Sequence, residues 1–338
     1  MDRQLTELPG VPEHELAEYL RVRYAIDVAL TRLGSERDET YRASGTSAAD
    51  LIVKVCAPGE PRAIVELQLA VTDYLTRATT VPVPVAVPTP AGETITRWER
   101  PGGGPDRLVY VISCLPGAGL AEQRLSPEQT ERVGTVHGEV TAALADFRHP
   151  AAARRLLWDL SGLPELADSI TPPRSQAQLA TQVVGHFTSV VRPVAEGGAR
   201  QVVHGDYSVH NVLANPAAPG FVTGVIDFGD VHIAPVLYDL AVAVANLLDH
   251  RLTDPWTSAS AHVRGFLGVY DVAPAQLRTL AAAAAARCVQ RALISQWRAT
   301  VDPTRAAYAE QHSRHDWVRA EAAIQTLDTG TEHFLAAT

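Results

Sequence analysis

Lysine is almost missing from this chain. Its 338 residues include 29 lysines and arginines, and Lys54 is the one lysine among them. Heavy use of Ala, Arg and Pro points to GC-rich coding, a background that makes a retained lysine informative. Acidic groups exceed basic ones, for a formal net charge of −9. A basic face of the kind that binds nucleic acid is therefore not expected. The three cysteines, Cys56, Cys114 and Cys288, are far apart, odd in number and form no C-x-x-C pair. That argues against a disulfide framework or a cysteine zinc site and fits reduced core residues. No apolar run approaches the ~20 residues of a membrane span. The opening "MDRQLTELPGVPEHELAEYL" is acidic and has no apolar h-region. A cytoplasmic protein with neither a membrane nor a nucleic-acid partner is expected.

What is present divides the chain in two. In the first part, Leu16, Tyr19 and Leu20 recur at helical spacing over residues 12–23. Strands are read in "AIDVALTRLG", after the turn "SERDET", in "DLIVKVC", "ETITRW" and "RLVYVISCL". A helix over "EPRAIVELQLAVTDYLTRA" places Ile64, Leu67, Val71, Tyr74 and Leu75 on one face. Residues 81–90 are Val/Pro-rich and extended. After "PGAGL" helices dominate, near 127–147, 175–195, 236–249, 275–299 and 304–327, with an island of short strands at 201–228. The reading is an α+β fold with a β-rich lobe over residues 1–115 and a helical lobe over 116–338.

The island carries the chemistry. "VVHGDYSVHNVL" holds Asp206 and, after four intervening residues, Asn211; "GVIDFGD" holds Asp227 at the end of an apolar strand. Phosphoryl transfer from a nucleotide needs a carboxylate beside the attacking hydroxyl, oxygen ligands for Mg²⁺ and a cation on the phosphates. Mg²⁺ takes hard oxygen ligands and keeps water, so one Asp and one Asn carbonyl suffice. Asp206 suits the hydroxyl; Asn211 and Asp227 suit the metal. His204 reads as a packing residue under the loop, and Asp239 as a brace.

The ordered set resembles the aminoglycoside phosphotransferase-like branch of the protein-kinase-like fold. "HGDYSVHN" is similar to that family's catalytic loop, "IDFGD" to its metal motif, and "LIVKV" to its third strand. "LYDLA" is similar to the helix start that braces the loop. "LGSERDETYR" and "LLWDL" look like the hydroxylysine-kinase subgroup. The resemblance implies a bilobal fold with an N-terminal five-stranded antiparallel sheet plus helix, and a mainly helical C-terminal lobe. It implies Lys54 on the phosphates with Glu66 as its partner, and a nucleotide, ATP or GTP, bound with Mg²⁺. Ser35 and nearby backbone amides would contact phosphates. The segment Ser113 to Leu115 would pair with the purine edge.

Other absences narrow the function. No G-x-G-x-x-G follows the first strand, and "PGGGP" joins two later strands instead. Nine residues separate Gly229 from Asp239, too few for a peptide-docking activation segment, and no "APE" appears. A small hydroxylated acceptor is therefore expected rather than a protein. Trp158, Asp159, His210, Asp230, His232, Trp256, Tyr308, Asp316 and Trp317 are the candidates to meet it. The leading reading is an antibiotic kinase, for an aminoglycoside or nucleoside drug, in resistance or tailoring. The alternative is a catabolic kinase of hydroxylysine or another amino alcohol. A monomer or a homodimer is expected.

Overall fold

The computed structural model describes residues 10–34, 38–45, 49–100, 103–301 and 306–338, with backbone alone at 122 and 306–313. The chain falls into two compact units, Met1–Pro116 and Gly117–Thr338.

The first unit begins with helix α1 (Glu13–Tyr24), then strands β1 (Ala29–Leu33), β2 (Glu39–Ser44) and β3 (Leu51–Val55). Helix α2 (Arg62–Ala78) is followed by β4 (Ala86–Val87), β5 (Thr96–Trp98) and β6 (Arg107–Ser113). The strands form one antiparallel sheet in the order β1-β2-β3-β6-β4, with β5 also pairing β6. This is one strand more than the sequence suggests. The extra strand is two residues long and lies inside the Val/Pro stretch, where Pro84 and Pro88 lack N–H donors and confine it to the sheet edge.

The sheet buries both faces. Val53 and Val55 of β3 join Tyr41, Val109 and Val111 against Leu16, Leu20 and Tyr24 of α1. On the other face Tyr110 packs with Val65 and Leu69 of α2. Strand alternation therefore sends Lys54, flanked by Val53 and Val55, to the α2 face. A buried ion pair ties the layers: Arg107 lies 3.1 Å from Glu39, and neither side chain is more than 10% exposed. Arg107 Nη2 donates to the Val55 carbonyl at 3.1 Å, while Glu39 accepts from the Val11 amide at 2.8 Å.

The second unit opens with β7 (Ala118–Gly119), α3 (Pro127–Leu144), α4 (Leu163–Ser169), α5 (Ala177–His186) and α6 (Arg192–Glu196). Strands β8 (Arg200–Val203), β9 (Val212–Ala214), β10 (Val222–Val225) and β11 (His232–Pro235) form the island. Then come α7 (Val236–Leu247), α8 (Thr257–Leu267), α9 (Pro274–Val301), α10 (Ala306–Gln325) and α11 (Leu327–Ala336). Ser126 starts α3 with a capping box: its Oγ accepts from the Gln129 amide at 3.2 Å, and Gln129 Oε1 accepts from the Ser126 amide at 2.9 Å.

Helix α9 is the spine of this unit, packing against α7, α10 and α11. Its run Ala281 to Ala286 is buried, and such small side chains let neighbouring helices come close. Helices α3 and α8 also approach closely. A Cβ on Gly134 would meet the His262 carbonyl oxygen at 1.9 Å, and one on Gly265 would meet that of Glu131 at 1.9 Å. Only glycine fits at either position, and the contact brings His262 onto His137. The island forms two small sheets, β10-β9-β7 and β11-β8. The loops from β8 to β9 and from β10 to β11 carry the acidic motifs.

Candidate active site

The β8–β9 loop is held from below. Asp239, in the first turn of α7, accepts the Gly205 amide at 2.8 Å through Oδ1. Its Oδ2 lies 3.0 Å from His137 Nε2, and His137 Nδ1 lies 3.1 Å from His262 Nε2. The Tyr207 ring stacks on His137, with centroids 4.0 Å apart. Gly205 has φ +82, and a Cβ there would meet the Asp230 carbonyl oxygen at 2.3 Å, so position 205 excludes any side chain. Asp239 is thus the brace that the sequence suggests. Burial is the largest single influence and pushes its pKa up, but His137, His204 and the Gly205 amide together outweigh it and hold the carboxyl below its ordinary value.

His204 is a structural residue. The Asp206 amide donates to its Nδ1 at 3.3 Å, which requires the proton on Nε2; that nitrogen donates to the Ile226 carbonyl at 3.1 Å. Burial lowers its pKa, so it stays neutral in this tautomer. One ring therefore fixes the backbone of both acidic loops. The Ile226 amide donates to the Asn211 carbonyl at 2.9 Å and joins them again.

Asn211 Nδ2 donates to Asp206 twice, at 2.7 Å to Oδ2 and at 2.9 Å to the carbonyl. That fixes the amide flip and turns Asn211 Oδ1 away from the aspartate, as an acceptor for a cation. Burial raises the Asp206 pKa to about 7; Arg287 opposes the shift, while Asp230 and Asp227 add to it. Asp227 is exposed and left-handed, at φ 62 and ψ 71. An exposed carboxylate and an amide oxygen from linked loops fit a hard divalent cation that takes its other ligands from water and phosphate. Among the described residues no group of three or more His, Cys, Asp or Glu side chains could hold a metal alone.

Two arginines here escape the sequence reading. Arg154 clamps the β10–β11 loop: its Nε donates to the Val231 carbonyl at 2.9 Å and its Nη2 to that of Gly229. Arg287, 3% exposed, donates through Nη1 to the Trp158 carbonyl at 2.6 Å and to Gln290 Oε1 at 2.8 Å. Nothing in the sequence marks these two out from the other arginines, because their partners are backbone carbonyls distant in the chain.

The remaining acceptor candidates scatter. Trp317 is 4% exposed in the helical core, and Trp256 is fully buried there, so neither meets a ligand. Asp316 is buried on Arg291 at 2.5 Å. His232 is buried with Nδ1 on the Asp230 carbonyl at 2.8 Å, a support for the β10–β11 loop rather than an open contact. Asp159 caps a short turn, accepting from the Ser161 amide at 2.9 Å. His210 is exposed, while Asp230 and Trp158 are partly buried. Tyr308 has no described side chain.

In the first unit Lys54 stands opposite Tyr110 in the β3–β6 register. The Tyr110 hydroxyl donates to buried Gln68 of α2 at 2.9 Å. Glu66 needs correcting as the lysine partner. It is exposed and pairs with Arg62 at 2.9 Å. The buried arc of α2 centres on Gln68, with Val65, Leu67, Leu69, Val71, Thr72 and Leu75, and a residue two positions from the centre points the other way. Gln68, at the centre of that arc, is a polar side chain that the helix presents on the lysine's side of the sheet. The Ser113 amide is spent on the Val85 carbonyl at 2.8 Å, and the Cys114 amide on Asp50 at 3.2 Å. The Leu115 amide makes no backbone hydrogen bond among the described residues. Ser35 lies outside the described residues.

The sequence pattern of the phosphotransferase enzyme family matches residues 29–278. Hydroxylysine kinase of Danio rerio is 22% identical over 319 residues, covering 90% of this chain and 89% of that protein. Among solved structures, a microcompartment-associated aminopropanol kinase superposes with a TM-score of 0.74 at 19% identity, covering 96% of this chain and 99% of that one. An amicoumacin kinase in complex with AMP-PNP, Ca²⁺ and its substrate gives 0.69 at 14% identity, covering 91% and 93%. The two structures share the fold. No helix among the described residues is long and apolar enough to cross a membrane.

Proposed function

Because the chain belongs to the phosphotransferase enzyme family, we infer that it moves the γ-phosphoryl group of a nucleoside triphosphate onto the hydroxyl of a small amino alcohol, hydroxylysine or a close relative. The observation that carries the reading is the Asp206–Asn211 pair, joined by the Ile226 amide to the loop of Asp227. The antibiotic reading has less support: amicoumacin is the substrate of one structural relative, whereas the curated relative that spans nearly the whole chain is a hydroxylysine kinase.

Asp206 accepts the hydroxyl proton as that oxygen attacks the γ-phosphorus, and a nucleoside diphosphate leaves. A pKa near 7 suits a base that works at neutral pH. Asn211 and Asp227 would hold Mg²⁺, which when bound neutralises charge on the phosphates. Lys54 supplies a compact cation to the phosphates, and the Leu115 amide suits the purine edge. The first unit is assigned to the nucleotide and the second to the acceptor. The test is mass spectrometry of mixtures with ATP or GTP, Mg²⁺ and hydroxylysine, aminopropanol or aminoglycosides. A phosphorylated amino alcohol supports the reading; phosphorylation confined to the aminoglycosides overturns it.

A further inference from the structure

Helix α9 presents an arginine whose hydrogen bonding is half complete. Arg287 uses only Nη1, on the Trp158 carbonyl and on Gln290. Gln290 in turn donates to the Leu157 and Asp159 carbonyls, at 3.3 and 2.9 Å, so the guanidinium is locked to the 157–159 loop. Its Nε is buried without a hydrogen-bond partner, although the residue is only 3% exposed. Nη2 likewise makes no hydrogen bond among the described residues. A buried charged donor left unpaired is destabilising, so an open Nε/Nη2 edge calls for an acceptor. That edge is the flat fork that grips a carboxylate with two parallel hydrogen bonds.

The surroundings favour an anion from the acceptor molecule. Arg287 lies close enough to Asp206 and Asp230 for their charges to act on one another. Arg298, three turns along α9, also stacks on Trp158, and each guanidinium carbon is 5.1 Å from the ring centroid. The open fork of Arg287 beside Asp206 suits a ligand that brings a hydroxyl for Asp206 and an anionic group for α9. The γ-phosphate, by contrast, belongs beside Asn211 and Asp227.

The geometry points to Arg287 as the residue that reads a carboxylate on the acceptor, so the substrate class is a hydroxy amino acid rather than a simple amino alcohol. This rests on the kinase reading above. The test compares hydroxylysine with its decarboxylated diamine and its carboxamide on the wild-type enzyme. A charge-assisted hydrogen bond contributes about 1.5–3 kcal/mol, so kcat/KM for hydroxylysine should exceed both analogues by about 10- to 100-fold. Arg287→Lys keeps the charge and removes the fork. It should shrink that preference to within about 3-fold, because hydroxylysine loses more than the diamine and the carboxamide do, while the nucleotide KM stays within about 2-fold. Equal use of acid and diamine by the wild type overturns the proposal and leaves an amino alcohol kinase standing. An equal loss on all three acceptors in Arg287→Lys, or a raised nucleotide KM, assigns Arg287 to packing or to phosphate and overturns it too. No phosphorylated product from any hydroxylated amine sinks the kinase reading, and this proposal with it.

Discussion

Asn211 Nδ2 sits 2.7 Å from Asp206 Oδ2, so one amide side chain holds the proposed base with its nitrogen and offers its oxygen to a cation. The two roles are coupled. Asn211→Asp would replace a donor by a carboxylate beside a carboxylate. The expected outcome is a fall in kcat by at least ~10²-fold with the fold intact by circular dichroism. Activity near wild type would break the coupling.

Asp206 also sets a pH dependence of stability. Its folded pKa is raised to about 7, above the unfolded carboxyl value. Between those two values the folded state binds the extra proton, so stability falls as pH rises from about 4 to about 7. Without metal and nucleotide, Asp206→Asn should therefore melt higher than the wild type at pH 8 and lose that advantage near pH 4. A melting difference that does not change with pH contradicts the buried carboxyl.

Lys54→Arg should cost most of the activity in a folded protein, because a forked planar group cannot replace a point charge on the phosphates. Glu66→Ala should cost little: its exposed pair with Arg62 is worth at most about 1 kcal/mol. Gln68→Ala should matter more for stability, since it removes the hydrogen bond that the buried Tyr110 hydroxyl donates and costs about 0.5–1.5 kcal/mol. Steady-state kinetics with chemical denaturation separates the three. A Glu66→Ala enzyme as impaired as Lys54→Arg would restore the glutamate as the lysine's partner.

Asp227→Ala should abolish Mg²⁺-dependent nucleotide binding in titration calorimetry. Arg154→Ala should weaken it less, by loosening the carbonyls of Gly229 and Val231 that shape the same loop. Unchanged binding in Asp227→Ala would count against its metal role.

The buried Arg107–Glu39 pair is a structural lock in the first unit. Arg107→Ala removes the closer, buried cation from Glu39, leaving the exposed Arg32 at 3.8 Å, and should destabilise by about 3 kcal/mol in urea unfolding. A loss below 1 kcal/mol would show that water replaces it.

The loops with "HGDYSVHN" and "IDFGD" were legible because their chemistry sits in contiguous residues of fixed order. The main strands and long helices were legible from periodicity. What escaped depends on long-range packing. The buried face of α2 is rotated toward Gln68 by the sheet it meets, so Glu66, plausible by spacing, points to water. Trp317 looks like a ligand contact in sequence, yet it lies on α10 and is buried in the helical core, where α10 packs on α9. Arg154 and Arg287 hold backbone carbonyls more than seventy residues away, a relationship that leaves no mark on composition or period. The short α4, α8 and α11 lack an apolar stripe long enough to stand out.

The central claim is transfer of a phosphoryl group to a hydroxyl with Asp206 as base. The most direct measurement is mass spectrometry of hydroxylysine incubated with Mg²⁺ and ATP or GTP, with wild type and Asp206→Asn side by side. The expected result is a product heavier by one phosphoryl group, ester-linked at the hydroxyl, formed by the wild type and reduced at least ~10²-fold in the variant. Equal product from both proteins, or none from the wild type with any hydroxylated amine, would contradict it.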